Sequence, residues 1–214
     1  MKLPVLATLG LIAATSLIPV QAQDTSMSFF ITSVGSGKGG DLGGLEGADA
    51  HCATLAEAAG VTGKTWRAYL STQEEGKRGV SARDRIGEGP WMNAKGELIA
   101  ANLDQLHVSP NIFKSTALDE SGNLVNGRGD MPNRHDILTG SMSDGTAFFP
   151  RETEDRTCSN WTSSGEGSAS VGHHDRHGGG NISWNAAHNS RGCSQEDLTK
   201  TGGAGLFMCF ALSE

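Results

Sequence analysis

Short apolar runs alternate with glycine-rich polar stretches along the whole chain. Residues 28–34 and 66–71 are rich in aromatic or β-branched residues. The first run ends just before Gly35 and the second begins shortly after Gly63, and both features are typical of strands. Between them, apolar positions recur every three or four residues from Leu45 to Ala59, which predicts a helix that ends at Gly60. The remaining predicted elements are a hairpin over 91–100, a short helix over 103–106, and strands over 158–162 and 205–212.

Glycine is unusually frequent: it occupies 30 of the 214 positions, about twice its usual share. The glycines have no three-residue period, which excludes collagen, and long periodic runs are few. The high number of glycines and the scarcity of long periodic runs indicate a loop-rich domain rather than a helical bundle. The formal charge is −7, from 17 basic and 24 acidic residues, without a run of lysines or arginines. A basic face for nucleic acid or an anionic membrane is therefore not expected.

The beginning of the chain has the pattern of a secretory signal peptide. Lys2 precedes an uncharged apolar run over 3–20, and the small residue Ala22 offers a cleavage site. An uncleaved membrane anchor is the alternative, but the run is short for a membrane span and contains two prolines. We expect residues 1–22 to be removed and residues 23–214 to form one soluble domain, secreted or periplasmic, with no membrane insertion after cleavage.

Export makes the cysteines candidates for disulfide bonds. The chain has four of them, Cys52, Cys158, Cys193 and Cys209. An even number in an oxidising compartment predicts two disulfides, for which three pairings are open. Because no spacing is C-x-x-C, a zinc ribbon or a thioredoxin-type redox site is disfavoured.

Several segments resemble those of endostatin domains in order and in spacing. They are ADAHC at 48–52, AAG at 58–60, GKTWRAYLS at 63–71, GSMSDG at 140–145 and CSNW at 158–161. Cys193 and Cys209 stand where that family has its last two cysteines. The resemblance runs over residues 29–210, and it is strongest to small exported bacterial proteins that are called lectins.

This resemblance implies a C-type-lectin-like, endostatin-like fold. Such a fold is α+β, with a twisted antiparallel sheet, helices and long glycine-rich loops. In that family the first cysteine pairs with the last and the second with the third. The resemblance therefore implies two nested disulfides, Cys52–Cys209 and Cys158–Cys193.

The family also suggests a place to look for calcium. C-type lectins that bind sugar through Ca²⁺ usually carry E-P-N and W-N-D motifs, and the corresponding segments here are Met131-Pro132-Asn133 and Trp184-Asn185-Ala186. Both asparagines are present, but Met131 and Ala186 replace the carboxylates. Because Ca²⁺ requires several oxygen ligands with negative charge, we expect any sugar binding to be independent of calcium.

A histidine cluster suggests a different metal. His173, His174, His177 and His188 lie within 16 residues, and imidazoles with a carboxylate can bind zinc, copper or nickel. We take His173, His174 and His177 as candidate metal ligands. The alternative is a solvent-exposed polar loop, since glycines flank the run on both sides. No cofactor is required by the sequence; a divalent ion, zinc or calcium, is the one group that it suggests.

The ligand-binding surface is expected on two long loops, residues 126–157 and 171–191. These loops combine many polar side chains with little apolar periodicity, and loops on a stapled scaffold are the usual place for recognition. The candidate ligand-binding residues are Asn133, His135, Asp136, Asp175, Trp184, Asn185 and His188.

These patterns and the resemblance lead to the expectation of an exported, non-enzymatic, lectin-like binding module without catalytic residues. Its expected partner is a carbohydrate or a cell-surface glycan. The function rests on analogy between folds, and one fold hosts many ligands. Two alternatives therefore stay open: a metal-dependent hydrolase that uses the His173–His188 loop, and a structural or envelope-interaction protein.

Overall fold

The computed structural model describes residues 26–213, so the predicted signal peptide over 1–22 lies outside the described residues. Within this range the chain forms an α+β domain. In chain order its elements are β1 (Phe29–Ile31), α1 (Gly44–Ala58), β2 (Trp66–Ala68), a 3-10 turn (Ala82–Asp84), β3 (Trp91–Met92), β4 (Leu98–Ala100), α2 (Leu103–Val108), β5 (Asp136–Leu138), β6 (Ser170–His173), β7 (His188–Asn189), α3 (Gln195–Thr201) and β8 (Gly203–Ala211). Among the helices in this range, none has the length and apolar character needed to cross a bilayer.

The last strand, β8, is the centre of a mixed, mostly antiparallel six-stranded sheet. Its C-terminal part pairs antiparallel with β1 and with β2, and its N-terminal part pairs parallel with β5. Strands β6 and β7 continue the sheet beyond β5 by antiparallel pairing. Strands β3 and β4 form a separate hairpin, as the sequence predicts.

Alternate side chains of β8 enter two hydrophobic clusters, because successive side chains of a strand point to opposite faces. Phe207 and Cys209 belong to the cluster that contains the apolar face of α1. Met208 and Phe210 belong to the cluster that contains Trp91. Burial on both faces explains why β8 is a nearly continuous apolar run in the sequence.

The nested disulfide pairing that the resemblance implies is confirmed. Cys52–Cys209 joins α1 to β8, and Cys158–Cys193 joins two loop segments. The paired cysteines are separated by 157 and 35 residues, respectively. Closing loops of these lengths stabilises the fold by about 5 and about 4 kcal/mol in the chain-entropy model.

The strand predicted over 158–162 is wrong. Residues Cys158–Trp161 form a left-handed turn, with φ between 48° and 67° at all four positions. This conformation costs an L-residue about 1–2 kcal/mol, and side-chain hydrogen bonds hold it in place. The Asn160 amide bonds both the N–H and the C=O of Gln73, and Trp161 Nε1 donates to the Ser71 carbonyl oxygen at 2.8 Å.

The two long loops predicted over 126–157 and 171–191 are interrupted by short strands: β5 lies within the first, β7 lies within the second, and β6 overlaps the start of the second. These strands have only two to four residues, so they show little of the alternation that identifies a strand. They are nonetheless the elements that assemble the candidate site.

Candidate metal centre

Two short strands bring an acid and an imidazole together. Strand β5 begins at Asp136 and strand β6 ends at His173, and their antiparallel register places these residues opposite each other. Opposite residues of such a pair have their side chains on the same face, about 5 Å apart at Cβ. His135 precedes β5 and His188 begins β7, so both can reach the same point.

Three imidazole nitrogens surround one oxygen of Asp136. Its Oδ1 atom lies 3.0 Å from Nε2 of His135, 3.1 Å from Nε2 of His173 and 3.5 Å from Nε2 of His188. The Nε2 atoms of His173 and His188 are 3.0 Å apart. His135, Asp136 and His173 are buried, with ligand atoms all within 4.8 Å of one another, and could hold a metal ion. The side chain of His188 is 42% exposed and forms the solvent side of this four-residue cluster.

In His173 and His188 the ring nitrogen that is not near Asp136, Nδ1, lies against an oxygen acceptor. The Asn181 amide nitrogen donates to the backbone and carboxylate oxygens of Asp175, at 3.2 and 3.3 Å. This turns the Asn181 oxygen toward Nδ1 of His173, which is 2.7 Å away. Nδ1 of His188 lies 3.1 Å from the carbonyl oxygen of Asn189. Because these oxygens cannot donate, Nδ1 carries the hydrogen in both rings, and Nε2 of each neutral ring is an acceptor.

The two Nε2 atoms and the Asp136 carboxylate therefore face one another with lone pairs. Neither oxygen of Asp136 receives a hydrogen bond from residues 26–213, although buried polar atoms are nearly always bonded. With both rings neutral the arrangement is repulsive, and either a proton on His188 or a metal ion between the donors relieves it. Ligands about 2.05 Å from a tetrahedral zinc ion are about 3.3 Å apart, which is near the four distances given above, 3.0 to 3.5 Å; the ligand atoms of His135, Asp136 and His173 all lie within 4.8 Å of one another.

The electrostatics of the cluster favour a cation. Burial raises the pKa of Asp136, but the adjoining rings of His173 and His188 and the charge of His135 outweigh it and hold that pKa below its ordinary value. The same carboxylate raises the pKa of His188 above its ordinary value. Asp136 is therefore ionised inside the protein, where a negative charge requires a positive partner, which a protonated His188 or a metal ion supplies.

Asp175 supports the cluster from behind His135. Its Oδ1 atom lies 3.4 Å from Nδ1 of His135, and its Oδ2 atom accepts a hydrogen bond from the Arg128 N–H at 2.6 Å. Burial raises the pKa of Asp175, but the His135 ring, the Arg128 N–H and the Asn181 amide hold it far below its ordinary value. Gly127 permits this contact, because a Cβ there would lie 2.6 Å from Oδ2.

Gly202 allows the backbone to pass close to the other side of Asp136. Its φ is 133°, a conformation that residues with a side chain rarely adopt, and a Cβ there would lie 3.2 Å from both Asp136 Oδ2 and His135 Cδ2. The chain just before β8 thus closes one wall of the cluster.

Of the three residues predicted as metal ligands, His173 alone belongs to the four-residue cluster. His174 is buried with Nε2 3.2 Å from the Asn126 carbonyl oxygen, and burial lowers its pKa. His177 is exposed. His135, Asp136, Asp175 and His188, predicted as ligand-binding residues, lie in the cluster or directly behind it.

The structure places the other predicted ligand-binding residues in supporting positions. Trp184 is 2% exposed and packs on Tyr69, with ring centroids 4.8 Å apart. The Asn185 amide donates to the Tyr69 hydroxyl at 3.1 Å and to the Met142 carbonyl oxygen at 3.3 Å. The Asn133 oxygen accepts from the backbone N–H of His135 at 3.2 Å. Asn133 and Asn185, the two asparagines that match calcium-ligand positions of C-type lectins in the sequence, thus both have hydrogen-bond partners within the fold.

Comparison with known proteins adds no family assignment: no protein-family model matches the chain, and no curated protein matches it. The structure shows an α+β domain with a mixed six-stranded sheet and two disulfides. Membership of the C-type-lectin-like family stays a prediction that rests on sequence motifs.

Proposed function

We propose that this chain is an exported metal-binding domain that holds one zinc-class ion between His135, Asp136, His173 and His188. The meeting of acceptor Nε2 atoms around a buried, ionised carboxylate carries the proposal. The two disulfides support export, since such bonds persist in oxidising compartments.

The donor set favours zinc over calcium. Three imidazole nitrogens and one carboxylate oxygen suit Zn²⁺ and the neighbouring late transition metals. Ca²⁺ takes six to eight oxygen ligands, and this cluster contributes oxygen through Asp136 alone. The proposal therefore extends the expectation of calcium-independent binding. The ion that we propose for this centre is Zn²⁺ or another transition metal that binds imidazole nitrogens.

Four protein donors also favour binding over hydrolysis. Structural zinc sites use four protein ligands, whereas catalytic sites use three and leave a position for water. We propose that the loop surface around the ion recognises a carbohydrate or another cell-surface glycan. Metal-dependent hydrolysis, the alternative, would require His188 to stay away from the ion.

The first test is calorimetric titration of Zn²⁺ into the metal-stripped, disulfide-bonded protein. We expect one ion per chain for the wild type and at least 100-fold weaker binding for Asp136→Asn and for His173→Ala, because each loses a donor. His177→Ala is the matched control and should bind like the wild type. If Asp136→Asn binds zinc as tightly as the wild type, the proposed centre is wrong.

The second test separates the two metals in glycan recognition. A glycan array is probed with zinc-loaded protein in the presence of a zinc-selective or a calcium-selective chelator. We expect binding to be lost with the first and kept with the second. Binding that survives the zinc-selective chelator would contradict a role of the centre in recognition.

A further inference from the structure

Strand β7 forms one edge of the six-stranded sheet and is two residues long. It belongs to a partly exposed segment, residues 186–189, that lies between two buried residues, Asn185 and Ser190, which are 1% and 6% exposed. The Asn185 amide donates to the Tyr69 hydroxyl at 3.1 Å, and the Ser190 N–H donates to the Ala169 carbonyl oxygen at 2.8 Å. Residues 186–189 therefore form a short strap whose two ends are fixed and whose middle faces solvent.

Backbone and side-chain contacts hold the middle of the strap on β6. The Ala187 N–H donates to the Val171 carbonyl oxygen at 2.7 Å. His188 and Asn189 are consecutive residues of a strand, so their side chains point to opposite faces of the sheet. On one face His188 enters the metal centre, and on the other Asn189 Oδ1 accepts from the Arg156 guanidinium at 2.9 Å. The docked position of the strap thus depends in part on the contacts of His188.

A metal ion would join the strap to its neighbouring strands. Nε2 of His188 lies 3.0 Å from Nε2 of His173 on β6 and 3.5 Å from Oδ1 of Asp136 on β5. Linkage is reciprocal: the factor by which a docked His188 strengthens zinc binding equals the factor by which bound zinc strengthens the docking of His188. Because the loss of this donor should weaken zinc binding by about tenfold or more, bound zinc should favour the docked strap by the same factor.

We propose that the zinc ion is a clasp that holds the strap on β6, so that metal occupancy regulates how often this edge of the sheet opens. The inference rests on the zinc centre proposed above and adds a regulated element to it. The strap also lines a cleft of about 300 Å³, together with Phe148 and Arg156. Zinc occupancy therefore controls one wall of this cleft as well.

The experiment measures amide hydrogen exchange by NMR in the disulfide-bonded protein, metal-free and zinc-loaded, with the zinc content measured in the same samples. The Ala187 amide must break its bond to Val171 in order to exchange. We expect this exchange to be at least about tenfold slower in the zinc-loaded wild type. The Gly96 amide, which donates to the Asn93 carbonyl oxygen at 3.0 Å in the turn between β3 and β4, is the control for local opening elsewhere. Its exchange should change by less than about twofold.

His188→Ala is the matched variant, because three buried donors remain and saturating zinc should still load one ion per chain. Zinc should no longer slow exchange of the Ala187 amide in this variant. Two results would overturn the clasp and leave the metal centre standing: equal Ala187 exchange in the zinc-loaded and metal-free wild type, or the full zinc effect in His188→Ala. A wild type that binds no zinc would overturn the metal centre and this inference with it.

Discussion

The side-chain oxygen of Asn181 lies 2.7 Å from Nδ1 of His173, and the amide nitrogen of the same residue donates to Asp175. One buried asparagine thus decides which nitrogen of His173 carries the hydrogen. It also braces the carboxylate that faces His135. The orientation of two proposed ligands therefore depends on a residue that is not itself a ligand, which is a common feature of metal sites.

We expect Asn181→Leu to weaken zinc binding by about 10- to 100-fold, because the His173 ring loses the acceptor that fixes it. Asn102→Ala is a control for general destabilisation. The Asn102 side chain caps α2, and its removal should cost about 1 kcal/mol of stability without changing zinc affinity. Competition titration measures both variants. An Asn181→Leu protein with wild-type affinity would show that this hydrogen bond has no role.

The exposed ligand should matter less than the buried ones. His188→Ala should weaken zinc binding by about tenfold or more and keep one ion per chain, because three buried donors remain. His174→Ala should leave the affinity within about twofold, since His174 faces the Asn126 carbonyl oxygen. Unchanged affinity in His188→Ala would indicate a three-donor centre with an open position and would favour the hydrolase alternative.

A partly buried hydrogen bond away from the centre contributes to the pH dependence of stability. The Tyr69 hydroxyl lies 2.8 Å from Nε2 of His107, whose Nδ1 lies 2.8 Å from the Leu103 carbonyl oxygen. His107 therefore accepts and Tyr69 donates. Burial raises the pKa of Tyr69 far above its ordinary value and lowers the pKa of His107. Both groups are thus held neutral in the folded protein.

The signs of these shifts predict losses of stability on both sides of neutrality. A neutral Tyr69 stabilises the folded state below pH about 10, and this stabilisation is lost as the pH rises above that value. A neutral His107 stabilises the folded state above pH about 6.5, and this stabilisation is lost as the pH falls below that value. Tyr69 is the single tyrosine of the chain, so phenolate absorbance reports it directly. We expect phenolate to form only when the protein unfolds in alkali. A smooth titration near pH 10 in the folded protein would contradict this.

The left-handed turn over 158–161 predicts an unusual order of substitutions at Asn160. Alanine removes the two bonds to Gln73 and tolerates positive φ poorly, so Asn160→Ala should cost about 1–3 kcal/mol. Asn160→Gly loses the same bonds but has no Cβ strain, and it should cost less. Urea unfolding with the disulfides intact measures the difference. Equal losses in both variants would show that backbone strain is unimportant here.

The parts of the fold that follow from local patterns could be predicted from the sequence. Helix α1 and strand β8 have long apolar periodicities, and the structure places them within two residues of the predicted bounds. The Cys158–Trp161 turn could not be predicted in this way. Its left-handed conformation depends on contacts with Gln73 and Ser71, which are far away in the chain.

The candidate centre was predicted in pieces. The run around His173 suggests a metal, and His135, Asp136 and His188 are candidate ligand-binding residues, but no local pattern joins them. Their meeting depends on the register between β5 and β6, two strands too short to show alternation. The available signal was the polar pair His135-Asp136 directly before the apolar pair Ile137-Leu138, which is typical of a strand that begins at a site.

X-ray diffraction at the zinc absorption edge, from crystals of the zinc-loaded protein, tests the central claim most directly. We expect one anomalous peak at about 2.0–2.2 Å from Nε2 of His135, His173 and His188 and from Oδ1 of Asp136. A peak only at other residues, such as His177, or no peak with the four side chains placed as described, would contradict the claim that this cluster is a metal centre.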